Sequence, residues 1–331
     1  MGGGDGERAP LLLHSLAALR EVVLPALDVA GARHVVEVGG EVGGFTAHLV
    51  ARAQEVGGRV DVVDPSPASE LAELARASDV LHVVRRPSPE ALAEIGRADA
   101  YLLDGDHNYA TVTGELDAIR AGAAGLFPLV VVHDVGWPCA RRDQYYRPEA
   151  LPADAVHAHT YERGVRPDSP GVVEGGFSGA GEFAYALEEG GPRNGVLTAV
   201  EDFLAGHPDL SFVRVPCVFG LGVVSDAGAP YADELARRLA WCDENPLLAR
   251  LEENRLALYL RVHDVLRDLD AVVAERDEAR AALEQLRVAV HALADSRTIR
   301  AIDAVQRPTR VLRPDRPGVR RLLHEVADDP L

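Results

Sequence analysis

"HVVEVGGEVGGFTAHLVARAQEV", His34 to Val56, decides how this chain is read. A short β-branched run opens it, glycines follow at positions 39, 40, 43 and 44, and the rest has helical spacing. A short apolar run ended by glycine reads as a buried strand, and the segment behind it as a helix. The same rhythm recurs downstream. "RVDVVDPSP" (59–67) predicts a second strand stopped by Pro65, "LAELARA" (71–77) a helix, and "VLHVVRR" (80–86) a third strand. "SPEALAEIG" (88–96) reads as a helix with a serine cap. "DAYLLDGD" (99–106) is a fourth strand, "YATVTGELDAIRAGA" (109–123) a helix, and "LFPLVVVHD" (126–134) a fifth strand. Upstream, residues 11–30 have helical spacing.

After position 194 the rhythm returns with a helix, "NGVLTAVEDFLAGH" (194–207), and then "LSFVRVPCVFGLGVV" (210–224), two strands bent at Pro216 or Gly220. Alternation of this kind implies an α/β fold with a doubly wound, mostly parallel, seven-stranded sheet of Rossmann-like type. Ligands bind at the carboxyl ends of such strands. Residues 138–194, rich in Pro, Gly, Tyr and Arg, interrupt the pattern and read as a substrate or lid insertion, or else a disordered loop.

Residues 1–228 are therefore expected to form one domain, 229–295 a helical segment and 296–331 an arginine-rich tail. Within the helical segment Leu258, Val262, Val265, Leu269, Val272, Arg276, Ala279, Leu283, Leu286, Val290 and Leu293 alternate by four and three. That seam predicts a coiled coil and a homo-oligomer, with Arg276 as its weak point. The alternative is a long helix folded back on its own domain. The tail carries eight arginines against two aspartates over 296–321 and reads as a solvated segment that offsets an acidic body.

Of 331 residues 47% are hydrophobic, enough for a sizeable core, and the net charge is -18. All 34 basic residues are arginine. An acidic chain lacks the basic footprint that nucleic-acid binding needs. Three widely spaced cysteines, Cys139, Cys217 and Cys242, form neither a disulfide framework nor a zinc pattern, which fits a cytoplasmic setting. The polar, glycine-rich "MGGGDGERAP" is no secretory signal, and no stretch is apolar enough for a transmembrane segment.

The chemistry-bearing residues fall at strand ends. The spacing E-x-G-x-x-x-G at Glu37, Gly39 and Gly43, with Gly40 between, departs from the dinucleotide fingerprint but still lets backbone approach a ligand closely. Asp64 ends the second strand, where a carboxylate can accept ribose hydroxyls; Asp61 is its competitor. Asp104 and Asp134 end the fourth and fifth strands, and two carboxylates converging in a cleft call for a cation or a proton. Asp104 has the rival role of capping the next helix. His107 is placed to act as a general base, or as a structural hydrogen bonder. His133 reads as a ligand or as a buried group behind one. Trp137, Arg141, Arg142, Tyr145, Tyr146 and Arg193 in or beside the insertion suit a substrate pocket for sugar rings or anionic groups, or plain packing.

This ordered set — E-x-G-x-x-x-G, an acid closing strand two, "DGDH" (104–107) and "HD" (133–134) — resembles the class I S-adenosylmethionine-dependent methyltransferases over residues 30–225. It is most similar to the branch with metal-dependent O-methyltransferases that act on sugars of natural products. The resemblance implies S-adenosylmethionine as cofactor, held by Glu37, Gly39, Gly40, Gly43, Asp64 and Asp104. It implies a divalent metal, Mg²⁺, on Asp104 and Asp134 with His133 beside them, and proton removal by His107. Trp137, Tyr145, Tyr146 and Arg193 are the expected substrate residues. Position 133 departs from the branch, whose metal-dependent members carry a carboxylate there. The expected function is methylation of a sugar hydroxyl on a glycan or secondary metabolite. The long helix and arginine-rich end resemble the ends of bacterial cell-surface polysaccharide enzymes. The rival readings are a non-catalytic cofactor-binding scaffold and an iron-dependent hydroxylase-like relative.

Overall fold

The computed structural model describes residues 13–311 and 317–328. The glycine-rich opening lies outside them, as does part of the arginine-rich end. A 3-10 turn, Leu16–Leu19, leads into α1 (Arg20–Val29). Then come β1 (His34–Val38), α2 (Thr46–Val56), β2 (Arg59–Val63), α3 (Ser69–Arg76) and β3 (Leu81–Val84). α4 (Ser88–Ile95), β4 (Ala100–Leu103), α5 (Tyr109–Gly122) and β5 (Leu129–His133) complete the parallel part.

The insertion contributes five short strands: β6 (Gln144–Tyr145), β7 (His159–Thr160), β8 (Gly164–Arg166), β9 (Ser169–Val173) and β10 (Ala184–Ala186). α6 (Val196–Ala205), β11 (Leu210–Val215), β12 (Leu221–Asp226), α7 (Ala232–Leu239) and α8 (Pro246–Ala294) follow. The chain goes on through α9 (Arg297–Val311) and α10 (Val319–Asp328). It divides into two compact units, one reaching His263 and one beginning at Asp264, so the first unit includes α7 and the opening turns of α8.

The seven-stranded sheet has the order β11-β12-β5-β4-β1-β2-β3. β12 runs antiparallel between β11 and β5, and the other pairs are parallel. The central strands β4 and β5 are buried along their whole length because helices cover both faces. Val35 packs with Leu27, Leu49 and Val60 on one side, and its neighbour Val36 with Leu116 and Val130 on the other, as strand alternation requires. The chain order reverses between β1 and β4, which makes that crevice the expected ligand position.

Register aligns the site. Val38 of β1 pairs with Val63 of β2 and Leu103 of β4, and Leu103 pairs with Val132 of β5. Gly39, Asp64, Asp104 and His133 each come one residue later, on one edge of the sheet.

One expectation needs correction. Ser88 does not cap α4; it is the first residue of the helix, and its buried hydroxyl donates instead to the Glu115 carboxyl. The insertion is ordered. Arg142 is buried and donates to the carbonyls of Ala186 and Pro170, each at 2.5 Å. Asp143, also buried, accepts from Tyr109 N–H, Gly195 N–H and the Tyr145 hydroxyl at 2.7–2.8 Å. Long-range polar anchors of this kind leave no periodic trace in a sequence.

Candidate functional site

The glycine turn after β1 is dictated by crowding. Gly39 has φ +86°, and a Cβ there would overlap the Asp104 carbonyl oxygen. Gly40 sits against Val62 and Leu71, and Gly43 has φ +82°. Only glycine allows β1 and β4 to close so tightly. Glu37 lies beneath this turn rather than facing outward. It is fully buried, accepts from the Thr46 hydroxyl at 2.5 Å, and thereby ties β1 to the first turn of α2. Burial pushes its carboxyl up to about 8, with Asp104 and Asp64 adding to the effect against the Thr46 bond.

Asp64 holds the neighbouring loops. Its Oδ2 accepts from Glu41 N–H at 2.9 Å and its Oδ1 from Ser66 N–H at 2.8 Å. Each oxygen keeps a free lone pair in reach of the glycine turn. The competitor Asp61 is buried between His34 and Arg59, at 2.7 and 3.0 Å, and is used up structurally.

Asp104, His133 and Asp134 form one cluster, with a ligand atom from each lying within 4.8 Å of the others. Asp134 has φ +60°, a left-handed turn that directs its carboxylate back toward β4. His133 Nδ1 is 2.9 Å from Asp104 Oδ1 and 3.2 Å from Asp134 Oδ2, while Nε2 lies 2.9 Å from the Val218 carbonyl. A carbonyl only accepts, so Nε2 carries hydrogen. Nδ1 then faces two carboxylates and must either bear a proton or share a cation with them. Burial opposes charge on His133, but Asp104 and Asp134 outweigh it and hold the imidazole well above its usual range. Burial would raise Asp134, yet His107, His133 and Arg255 hold it below the usual carboxylate range. The rival capping role of Asp104 is filled by Asn108, which accepts from Thr111 N–H at 2.8 Å at the start of α5.

His107 Nδ1 is 3.3 Å from Asp134 Oδ2. With the proton on Nδ1, Nε2 remains as an acceptor. The adjacent Asp106 joins the site to the insertion, accepting from Asn108, Thr111 and Tyr146 N–H. Of the expected substrate residues, Tyr146 is well placed: it is exposed and its ring centroid is 6.2 Å from that of His107. Tyr145 is buried and its hydroxyl donates to Asp143. Trp137 packs into the cluster of Phe219, Leu256 and Tyr259. Arg193 is exposed ahead of α6, where its carbonyl accepts from His157. Arg141 pairs with Glu201 at 2.6 Å, away from the acids.

The sequence reading missed Glu252 and Arg255. Val218, Phe219 and Gly220 are three successive left-handed residues, with φ of 49°, 62° and 86°. Glu252 of α8 receives Val218 N–H at 3.0 Å and Phe219 N–H at 2.9 Å. Arg255 grips the same carboxylate with two bonds, at 2.6 and 2.7 Å, and lies over the Phe219 ring at 4.5 Å. A Glu-x-x-Arg spacing looks like any exposed helix pair, so only the fold reveals its target.

Residues 36–135 match a family model described as a methyltransferase domain. That span runs from β1 to just past Asp134. No curated protein matches the chain. Among solved structures, a putative caffeoyl-CoA O-methyltransferase from Staphylococcus aureus is 9% identical, with 64% of this chain and 90% of that one covered and a TM-score of 0.40. An S-adenosylhomocysteine-bound methyltransferase from Podospora anserina is 13% identical, with coverage of 62% and 76% and a TM-score of 0.38. A 1,6-didemethyltoxoflavin N1-methyltransferase from Burkholderia thailandensis is 19% identical, with coverage of 63% and 78% and a TM-score of 0.36. Residues 36–135, which carry this glycine turn and the strands from β1 to β5, thus match a methyltransferase domain.

Proposed function

We propose that the chain methylates a hydroxyl oxygen of a small molecule, with a sugar hydroxyl of a glycan or secondary metabolite as the acceptor. The observation that carries this reading is the His107–Asp134 pair, 3.3 Å apart, beside the exposed Tyr146 ring. A base oriented by a carboxylate suits removal of a hydroxyl proton. S-adenosylmethionine supplies the methyl group at this site. Gly39, Gly40 and Gly43 present backbone to the methionine part, and Asp64 presents its remaining lone pairs to the ribose. The acceptor oxygen forms the C–O bond as the C–S bond breaks, and its proton passes to His107 Nε2. The chain's contribution is mainly alignment.

Asp104, Asp134 and His133 suit a divalent cation. Two carboxylates and one imidazole nitrogen form a mixed donor set, and His133 Nδ1 is turned toward the acids by its bond to Val218. Such an ion lowers the pKa of a bound hydroxyl. The nitrogen donor favours Mn²⁺ or a similar ion over Mg²⁺, which prefers oxygen. A cytoplasmic setting fits the three unpaired cysteines.

The test follows methyl transfer from labelled S-adenosylmethionine to a panel of sugars and hydroxylated metabolites, with Mn²⁺ and with chelator. Transfer to a hydroxyl that is lost in His107→Ala supports the proposal. Transfer only to nitrogen acceptors, or full activity in His107→Ala, overturns it.

A further inference from the structure

The exposed seam of α8 has an occupant whose register is written in its charges and side-chain sizes. Leu258, Val265, Leu269, Val272, Leu286 and Leu293 are each between 51% and 60% exposed on a continuous helix. They alternate by four and three with Val262, Arg276, Ala279, Leu283 and Val290, the pattern of a two-stranded seam. Among the described residues these six side chains stay exposed, while Val262, Leu283 and Val290 are half-buried. We infer that α8 pairs with α8 of a second copy, and that the two helices run antiparallel.

Charge is the first argument. From Asp264 to Glu278 the helix carries six acids against two arginines, while from Ala279 to Ala294 it carries two arginines against one acid. A parallel pair sets the acidic halves side by side. An antiparallel pair sets each acidic half against the more basic half of its partner, and opposes the helix dipoles.

Size is the second. A parallel pair stacks Arg276 on the partner's Arg276 and leaves Ala279 facing the partner's Ala279. The antiparallel register centred between Asp277 and Glu278 sets Arg276 over the partner's Ala279, large against small, twice by symmetry. In that register Leu269 meets the partner's Leu286, Val272 the partner's Leu283, and Val265 the partner's Val290. The arginine stem lies along the alanine and its head reaches water, as long basic side chains do. Every other layer between Val262 and Leu293 is apolar. The residue that weakens a parallel seam thus selects the antiparallel one, by like-charge exclusion of the alternative. The interface is isologous, so it closes at two chains.

The inference does not depend on the catalytic reading. It is tested on the full chain by light scattering and by spin-label distances from Ala292→Cys, in a Cys217→Ser background with Cys139 and Cys242 left in their buried places. The expected result is a dimer with labels about 45 Å apart, because the two copies of position 292 lie at opposite ends of the pair. The dimer is expected to dissociate in Leu269→Glu while the near-ultraviolet circular dichroism of the first unit is kept. Labels within about 20 Å mean a parallel pair and overturn the register. A monomer at all micromolar concentrations, or a stoichiometry above two, overturns the pairing itself.

Discussion

Val218 fixes His133: its carbonyl lies 2.9 Å from His133 Nε2, and its own N–H is held by Glu252. The first turns of α8 thus reach the acid cluster through one residue of strained backbone. Removing the carboxylate frees two left-handed N–H groups and leaves the Arg255 guanidinium only its bond to the Leu13 carbonyl. Glu252→Ala is expected to destabilise the first unit by about 2–3 kcal/mol, since bonds to charged groups are the strong ones. It should also weaken divalent-ion affinity. Glu252→Gln, which keeps one acceptor, should fall between; denaturant melts and ion titration check both.

His107→Ala should lower the turnover rate by roughly 10²–10⁴-fold, the usual contribution of a positioned base. Affinity for S-adenosylhomocysteine should be unchanged, because His107 faces Asp134 and Tyr146 rather than the glycine turn. Parallel rate and binding measurements separate the two effects.

Gly39→Ala should be severe. The new methyl group meets the Asp104 backbone at a φ of +86°. β1 and β4 must part, and cofactor affinity and melting temperature should both drop. Gly44→Ala is the control, since open space surrounds that position.

Glu115 predicts a pH effect. Burial pushes its carboxyl from an ordinary 4.5 up to about 8, with the Ser88 bond working against and Asp106 adding to the rise. The folded chain keeps it protonated where the unfolded chain ionises it. Its contribution to stability is full below pH 4.5 and is lost as pH rises to about 8. Glu115→Gln should therefore be more stable than the parent at pH 8 and lose part of the slope across that window. Melting curves at several pH values check this.

The sheet was legible because its strands are short apolar runs, most of them β-branched and most closed by glycine, proline or acid, and the register then places Asp64, Asp104 and Asp134 at their ends. Gly39 was legible because a close approach admits no other residue. The buried roles of Tyr145 and Glu37 were not, since a tyrosine or a carboxylate beside a site looks the same whether it faces ligand or core. The Asp143 hub and the Glu252 clamp tie residues far apart in sequence, and hydrogen bonds across such separations have no period to read.

The central claim is that the edge of the sheet between β1, β2 and β4 binds S-adenosylmethionine through the glycine turn and Asp64. Calorimetric titration with S-adenosylhomocysteine tests it most directly, on the wild type and on Asp64→Asn, which keeps an acceptor for one loop. The account predicts micromolar binding to the wild type and a loss of at least tenfold in the variant. Absence of heat with the folded wild type, or equal affinity in both, would contradict it.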